Sequence, residues 1–175
     1  RCLINSYNDF VKNGAVPPSA GMSLKKMTFE TYIPDSGNKR ALEAFKKVAK
    51  MDLMMLLVYG KTGNGKTHLC NALVYELMLQ NRSVKLYSAS EMVNELKARI
   101  NDNTIEDVVS KLKKVDALII DDYKPEYGTT WEMSRVEEII DARYRNALIT
   151  VLTTNKDLGS IPDRIVSRFM DQSLG

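Results

Sequence analysis

The sequence predicts an α/β fold built on a mostly parallel sheet, and three observations carry that prediction. Short apolar runs recur at Leu56–Tyr59, Ser83–Tyr87, Asp116–Asp122 and Ala147–Leu152, each of the length a buried strand needs. Between them lie longer stretches whose apolar residues repeat at helical spacing. The first run also passes straight into a glycine-rich loop, Gly60–Thr67, that opens one of those helical stretches. Strands alternating with helices are joined by crossovers, which makes the strands parallel and puts binding loops at their carboxyl ends.

The 175 residues fit one domain with a full core. With 44% hydrophobic and 27% charged residues, the composition is that of a soluble globular protein. No apolar run approaches the roughly 20 residues needed to span a bilayer, so no membrane partner is expected. No signal-peptide pattern is present, and the first residue is Arg1, so the start is expected to belong to something longer. A net charge of +3 and a pI near 8.8 permit nucleic-acid contact without requiring it. Cys2 and Cys70 cannot form a disulfide framework, which points to a reduced, cytoplasmic setting.

Taken in order, residues 1–22 contain Pro17-Pro18 and read as a linker or arm, leaving residues 23–175 as the core. Within 23–34, Phe29, Tyr32 and Ile33 are expected to pin a short segment to that core. The stretch Asn38–Lys50 has Ala41, Leu42, Phe45, Val48 and Ala49 at helical spacing; its outer face carries Lys39, Arg40, Lys46, Lys47 and Lys50 against Glu43 alone. After the first strand and its loop, His68–Gln80 reads as a helix through Leu69, Ala72, Leu73, Leu77 and Leu79. Ser88, with Glu91 three residues on, signals a capping box ahead of a helix carrying Met92, Val93, Leu96 and Ile100. Asn101-Asp102-Asn103 breaks that helix, and Thr104 with Asp107 opens another that ends in Lys111, Lys113 and Lys114. The third strand ends in two carboxylates, Asp121 and Asp122. A polar loop, Tyr123–Thr130, leads to a helix over about Trp131–Arg145. The fourth strand delivers Thr153-Thr154-Asn155 at its tip, and Ser160–Asp163 starts a last short helix bearing Arg164 and Arg168.

Gly60, Lys61, Thr62, Gly63, Asn64, Gly65, Lys66 and Thr67 satisfy G-x-x-x-x-G-K-[ST], the phosphate-binding loop of nucleoside triphosphatases. The glycines let successive N–H groups turn inward around phosphate oxygens, and the helix start adds its dipole. Lys66 is placed to reach the β- and γ-phosphates and the Thr67 hydroxyl to hold Mg²⁺. At the end of the third strand, Asp121 is placed to orient that Mg²⁺ through its waters and Asp122 to position the attacking water. Asn155 offers a neutral amide for that water or the γ-phosphate. Arg164 and Arg168, four apart on one helix face, read either as surface cations pairing with Asp163 or Asp171, or as an arginine finger for a neighbouring subunit. His68 is expected to make packing or polar contact beside the phosphates.

The ordered set GKTGNGKT, LIIDDY, LTTN and RIVSRF resembles the AAA+ ATPases, and within them the bacterial DnaC/DnaI-type replicative helicase loaders and their IstB-like relatives. The segments Met27–Tyr32 and Glu138–Tyr144 resemble that family as well, so the likeness covers roughly residues 22–170. It implies a P-loop NTPase three-layer sandwich with ATP and Mg²⁺ as cofactors. Asp121 takes the metal-orienting role, and Asp122 stands where many AAA+ proteins have Glu, implying slow turnover. Asn155 matches the first sensor and Arg168 the finger. The family's sheet has a fifth strand after the finger motif, so the C-terminal strand and lid are expected to be missing. The resemblance further implies that residues 88–114 lie near a single-stranded DNA path, although their five basic and five acidic residues are balanced. The expected function is the ATPase core of a helicase loader, with a replicative hexameric helicase contacted through a missing N-terminal domain. Single-stranded DNA and a homo-oligomer across the ATP site complete the expected partners. The alternatives are an IstB-like transposition helper or an ATP-dependent switch with negligible turnover.

Overall fold

A computed structural model of the chain describes residues 27–100 and 104–171. Ten regular elements follow one another: α1 Lys39–Lys50, β1 Met55–Tyr59, α2 Lys66–Leu79, β2 Val84–Ser88, α3 Ala89–Ile100, α4 Ile105–Lys114, β3 Ala117–Asp121, α5 Thr130–Arg145, β4 Ile149–Thr154 and α6 Asp163–Met170. Single 3₁₀ turns at Pro125–Tyr127 and Leu158–Ser160 interrupt two of the loops. The expected arm, residues 1–22, and the helix break at Asn101–Asn103 lie outside the described residues.

The four strands form one sheet in the order β1-β4-β3-β2, and all three pairings are parallel. No fifth strand occurs among the described residues, so β1 and β2 are the edges. Alternating residues of β3 serve two cores. Ala117 and Ile119 pack with α1 and α2, through Phe45, Val48, Leu69 and Leu73. Leu118 and Ile120 pack with α3, α4, α5 and α6, through Met92, Leu112, Ile139 and Ile165. A sheet covered on both faces needs strands that are apolar throughout, which is why β3 and β4 read as continuous runs. Three layers result, as expected. Among the described residues, no helix is long and apolar enough to cross a membrane.

Several boundaries differ from those read in the sequence, each for a local reason. The third strand stops at Asp121 rather than Asp122, because Asp122 takes a left-handed conformation (φ 54°) and leaves the sheet. The fourth strand is Ile149–Thr154, not Ala147–Leu152. Ala147 (φ 48°) and Leu148 close the end of α5, their N–H groups reaching the carbonyls of Tyr144 and Arg143, the paired bonds of a Schellman cap. The same cap ends α1 at Met51 and α2 at Asn81. The helix expected from His68 begins at Lys66, and the last helix begins at Asp163, after a 3₁₀ turn where Ser160 was expected to open it. Within the first described segment, Tyr32 is buried and Phe29 packs partly against the core. Ile33, expected as an anchor, is 90% exposed and lies outside that cluster.

The capping box at Ser88 forms as expected. Its Oγ accepts from Glu91 N–H at 3.2 Å while its own N–H reaches the Glu91 carboxylate at 2.9 Å. A second box, unforeseen, starts α5: Thr129 N–H donates to Glu132 Oε2 at 2.7 Å.

Among the described residues, one of the largest fully buried side chains carries a charge. Arg143, near the end of α5, is 0% exposed. Its Nη1 donates to the carbonyls of Leu112 and Val115, both at 2.7 Å, Nη2 to that of Ile149 at 2.7 Å, and Nε to Thr150 Oγ1 at 3.0 Å. One guanidinium thereby ties the end of α4 and the start of β4 to α5. Burial pulls its pKa down to about 10, which leaves it cationic at neutral pH.

Candidate nucleotide-binding site

The loop Gly60–Thr67 leaves the carboxyl end of β1 beside the tip of β4, where Gly60 N–H donates to Thr154 O at 3.2 Å. Its glycines are required where they stand. Gly63 and Gly65 have φ of 86° and 78°, a region that side chains with a Cβ avoid. Gly65 also faces Tyr32 so closely that a Cβ there would lie 2.6 Å from the ring. The Tyr32 hydroxyl donates to Asn64 O at 3.2 Å, so the segment before α1 braces the loop from outside. Lys61, Thr62, Gly63, Asn64 and Thr67 are open to solvent. Lys66, in the first turn of α2, turns its ammonium back over the loop to the carbonyls of Gly60 at 2.7 Å and Lys61 at 2.9 Å.

Thr67 and Asp121, 54 residues apart, meet: Thr67 Oγ1 donates to Asp121 Oδ2 at 2.7 Å. The other carboxylate oxygen accepts from Thr153 Oγ1 at 2.5 Å, and Thr153 Oγ1 in turn accepts from Asp122 N–H at 3.0 Å. These residues fit a Mg²⁺ bound with a triphosphate. A hydroxyl and one carboxylate at the base of a phosphate loop are the sparse oxygen set such a metal takes when phosphates and water complete its shell. Among the described residues, no group of three or more His, Cys, Asp and Glu side chains could hold a metal by itself. Cys70, fully buried beneath the loop, lies with Sγ 3.8 Å from Asp121 Oδ1; burial, then the adjacent carboxylate, pushes its thiol well up. It stays protonated.

Asp122 is not a free carboxylate. Lys124 Nζ lies 2.9 Å from its Oδ2, and the Tyr127 hydroxyl reaches the same oxygen at 3.4 Å. The bond to Asp122, with another to Tyr127 at 2.7 Å, raises the Lys124 pKa. Asn155 follows β4 directly at the same sheet end, and Thr154 Oγ1 fixes that turn by donating to Tyr123 O at 2.7 Å and accepting from Lys156 N–H at 3.0 Å. Thr153 and Thr154, both 0% exposed, are the site residues that reading the sequence missed as such. Two hydroxyls ending an otherwise apolar strand were the available signal.

His68, directly after the loop, makes polar and packing contacts: its Nε2 lies 2.9 Å from Thr28 O, and its ring meets Tyr32 edge-on with centroids 5.1 Å apart, which fastens α2 to the braced segment. The two arginines of α6 face α5. Arg168 binds Asp141 of α5, with Nε and Nη2 both 2.9 Å from Oδ1. Arg164, 81% exposed, comes only within 3.8 Å of Glu137. Neither pairs with Asp163, because the facing carboxylates belong to α5.

A profile of the bacterial DnaA ATPase domain matches residues 24–172. The chain belongs to this family. The chromosomal replication initiator DnaA of Citrifermentans bemidjiense is 29% identical over 152 residues, covering 82% of this chain and 33% of that protein. The chain thus spans about a third of the curated relatives it matches. The AMPPCP-bound DnaA of Aquifex aeolicus superposes with a TM-score of 0.76 at 27% identity, over 82% of this chain and 47% of that one. A replication initiator DnaA bound to AMPPCP and single-stranded DNA gives 0.74 at 27%, with the same coverages. The DnaI structure gives 0.68 at 25%, over 87% of this chain and 86% of that one. The fold is therefore that of an AAA+ P-loop ATPase domain, in a family of DNA-replication proteins that includes initiators and has loaders as structural neighbours.

Proposed function

We propose that the chain is the ATP-binding and ATP-hydrolysing core of a replication assembly factor, whose nucleotide state controls self-association and its hold on single-stranded DNA. The observation that carries this is the unbroken network Thr67–Asp121–Thr153–Asp122 beneath the loop. It joins the residues that would bind phosphate and Mg²⁺ to those that would position the attacking water. Lys66 would move from the loop carbonyls to the β- and γ-phosphates, with Gly60–Gly65 cradling them and His68 at the loop's flank. Asp121 would orient the metal, Asp122 the water once Lys124 releases it, and Asn155 the γ-phosphate. The AMPPCP and single-stranded DNA on the DnaA neighbour support the ligand classes, with α3 and α4 as the helices nearest the DNA.

In the loader reading, the partner is a replicative hexameric helicase; the ordered sequence motifs and the DnaI likeness favour it. A second reading, an initiator acting at duplex DNA, is favoured by the family profile and the curated relatives. Retention of a hexameric helicase by the full-length protein marks the first, and sequence-selective duplex binding the second.

In both readings ATP is shared between subunits and Arg168 is the finger. Arg168→Ala is expected to leave ATP binding within about twofold and to lower assembly-stimulated hydrolysis by about 10³-fold, the lower end for an arginine finger. Phosphate release at rising protein concentration checks this. Hydrolysis that climbs equally in variant and wild type removes Arg168 from the site, and negligible turnover in both leaves only an ATP-dependent binding switch.

A further inference from the structure

We infer that Asp141 is a positioning residue for Arg168, holding its guanidinium in a fixed pose that presents Nη1 to a phosphate on another subunit. This deepens, and rests on, the reading of Arg168 as the finger. A guanidinium has five N–H donors in a rigid plane. Asp141 Oδ1 accepts from Nε at 2.9 Å and ion-pairs with Nη2, also 2.9 Å away. The Tyr144 ring covers the guanidinium, 4.9 Å from ring centroid to Cζ. Nη1 is left without a hydrogen-bond partner among the described residues.

The seat itself is fixed. Asp141 and Tyr144 are three apart on α5, hence on one face, and the Tyr144 hydroxyl is bonded in turn to Asp171 beyond α6. Asp141 Oδ2 is held by Arg145 at 3.2 Å, four residues on. Between them Arg143 roots the helix in the floor of the sheet, and the Thr129–Glu132 box fixes its other end, eight residues after Asp121. A long side chain ordered in advance loses less freedom when it meets its target. Arg164 shows the alternative: it is 81% exposed, and its nearest carboxylate is 3.8 Å away.

The test mixes two forms of the full-length protein. Acceptor subunits carry Arg168→Ala and keep the nucleotide site; donor subunits carry Lys66→Ala and keep the finger. Donors alone are expected to stimulate acceptor hydrolysis. Donors that also carry Asp141→Ala are expected to give about tenfold lower kcat at unchanged KM for ATP, and Asp141→Glu donors to recover part of it. A loss of assembly through poor folding would instead require more donor to reach the same kcat, and the Asp141→Asn donor, equal in size, is read alongside. Asp141→Ala donors that stimulate as well as or better than intact donors overturn the inference. If donors carrying Arg168→Ala also stimulate fully, or intact donors do not stimulate at all, the finger reading fails instead.

Discussion

Lys66→Ala is expected to weaken ATP binding and to lower kcat for hydrolysis by at least about 100-fold, the range in kcat seen when one preorganised donor is removed from a developing oxyanion. The ammonium is already gathered over the loop by the Gly60 and Lys61 carbonyls, so a phosphate oxygen has only to replace those acceptors. The rest of the loop does not depend on it. Gly65 keeps its place against Tyr32, Asn64 O keeps the Tyr32 hydroxyl, and Thr67 keeps Asp121. The variant is therefore expected to melt within about 2 °C of wild type, because partly exposed changes away from such contacts stay within about 0.5 kcal/mol. Titration with a fluorescent ATP analogue beside a thermal melt separates lost binding from lost fold.

Arg143→Ala is expected to have the opposite profile, a large loss of stability from a residue remote from the phosphate loop. Removing the guanidinium strips bonds from the carbonyls of Leu112, Val115 and Ile149 and from Thr150, and leaves a cavity where a fully buried side chain stood. Breaking a buried charged network of this kind costs about 3–5 kcal/mol, a large part of the 5–15 kcal/mol that holds a typical domain together. The midpoint of a thermal melt should fall by on the order of 10 °C. Arg143→Met is expected to rescue little. An apolar replacement suits a buried ion pair whose partner is replaced too, whereas here the partners are backbone carbonyls that no mutation removes. A melt unchanged by either substitution would show that water satisfies those carbonyls.

These two residues mark what the sequence made legible. Lys66 lies in eight contiguous residues whose chemistry is local, so spacing alone was enough to place it. Asp121 was equally legible, because a strand covered on both faces is apolar to its end and two carboxylates there stand out. Arg143 could not be read this way. It looks like any basic residue in the last turn of a helix, and its acceptors lie up to 31 residues away. Asp141 hides for the same reason: its partner, 27 residues on, belongs to another element. The ends of α1 at Lys50 and of α5 at Arg145 were legible, but the left-handed helix caps were not, because glycine is the usual signal for such a cap, whereas Met51, Asn81 and Ala147 fill that role here. Thr129 with Glu132 was readable, being a Thr-x-x-Glu pattern of the same kind as Ser88 with Glu91. Tyr32 against Gly65 was not, since nothing local tells which of Phe29, Tyr32 and Ile33 turns inward.

The most direct test of a site shared between subunits is sedimentation of the full-length protein with a single-stranded oligonucleotide, in the presence of a non-hydrolysable ATP analogue or of ADP. The expected result is a large assembly with the ATP analogue that dissolves to small species with ADP and fails to form with Arg168→Ala. Species of the same size with both nucleotides would contradict it.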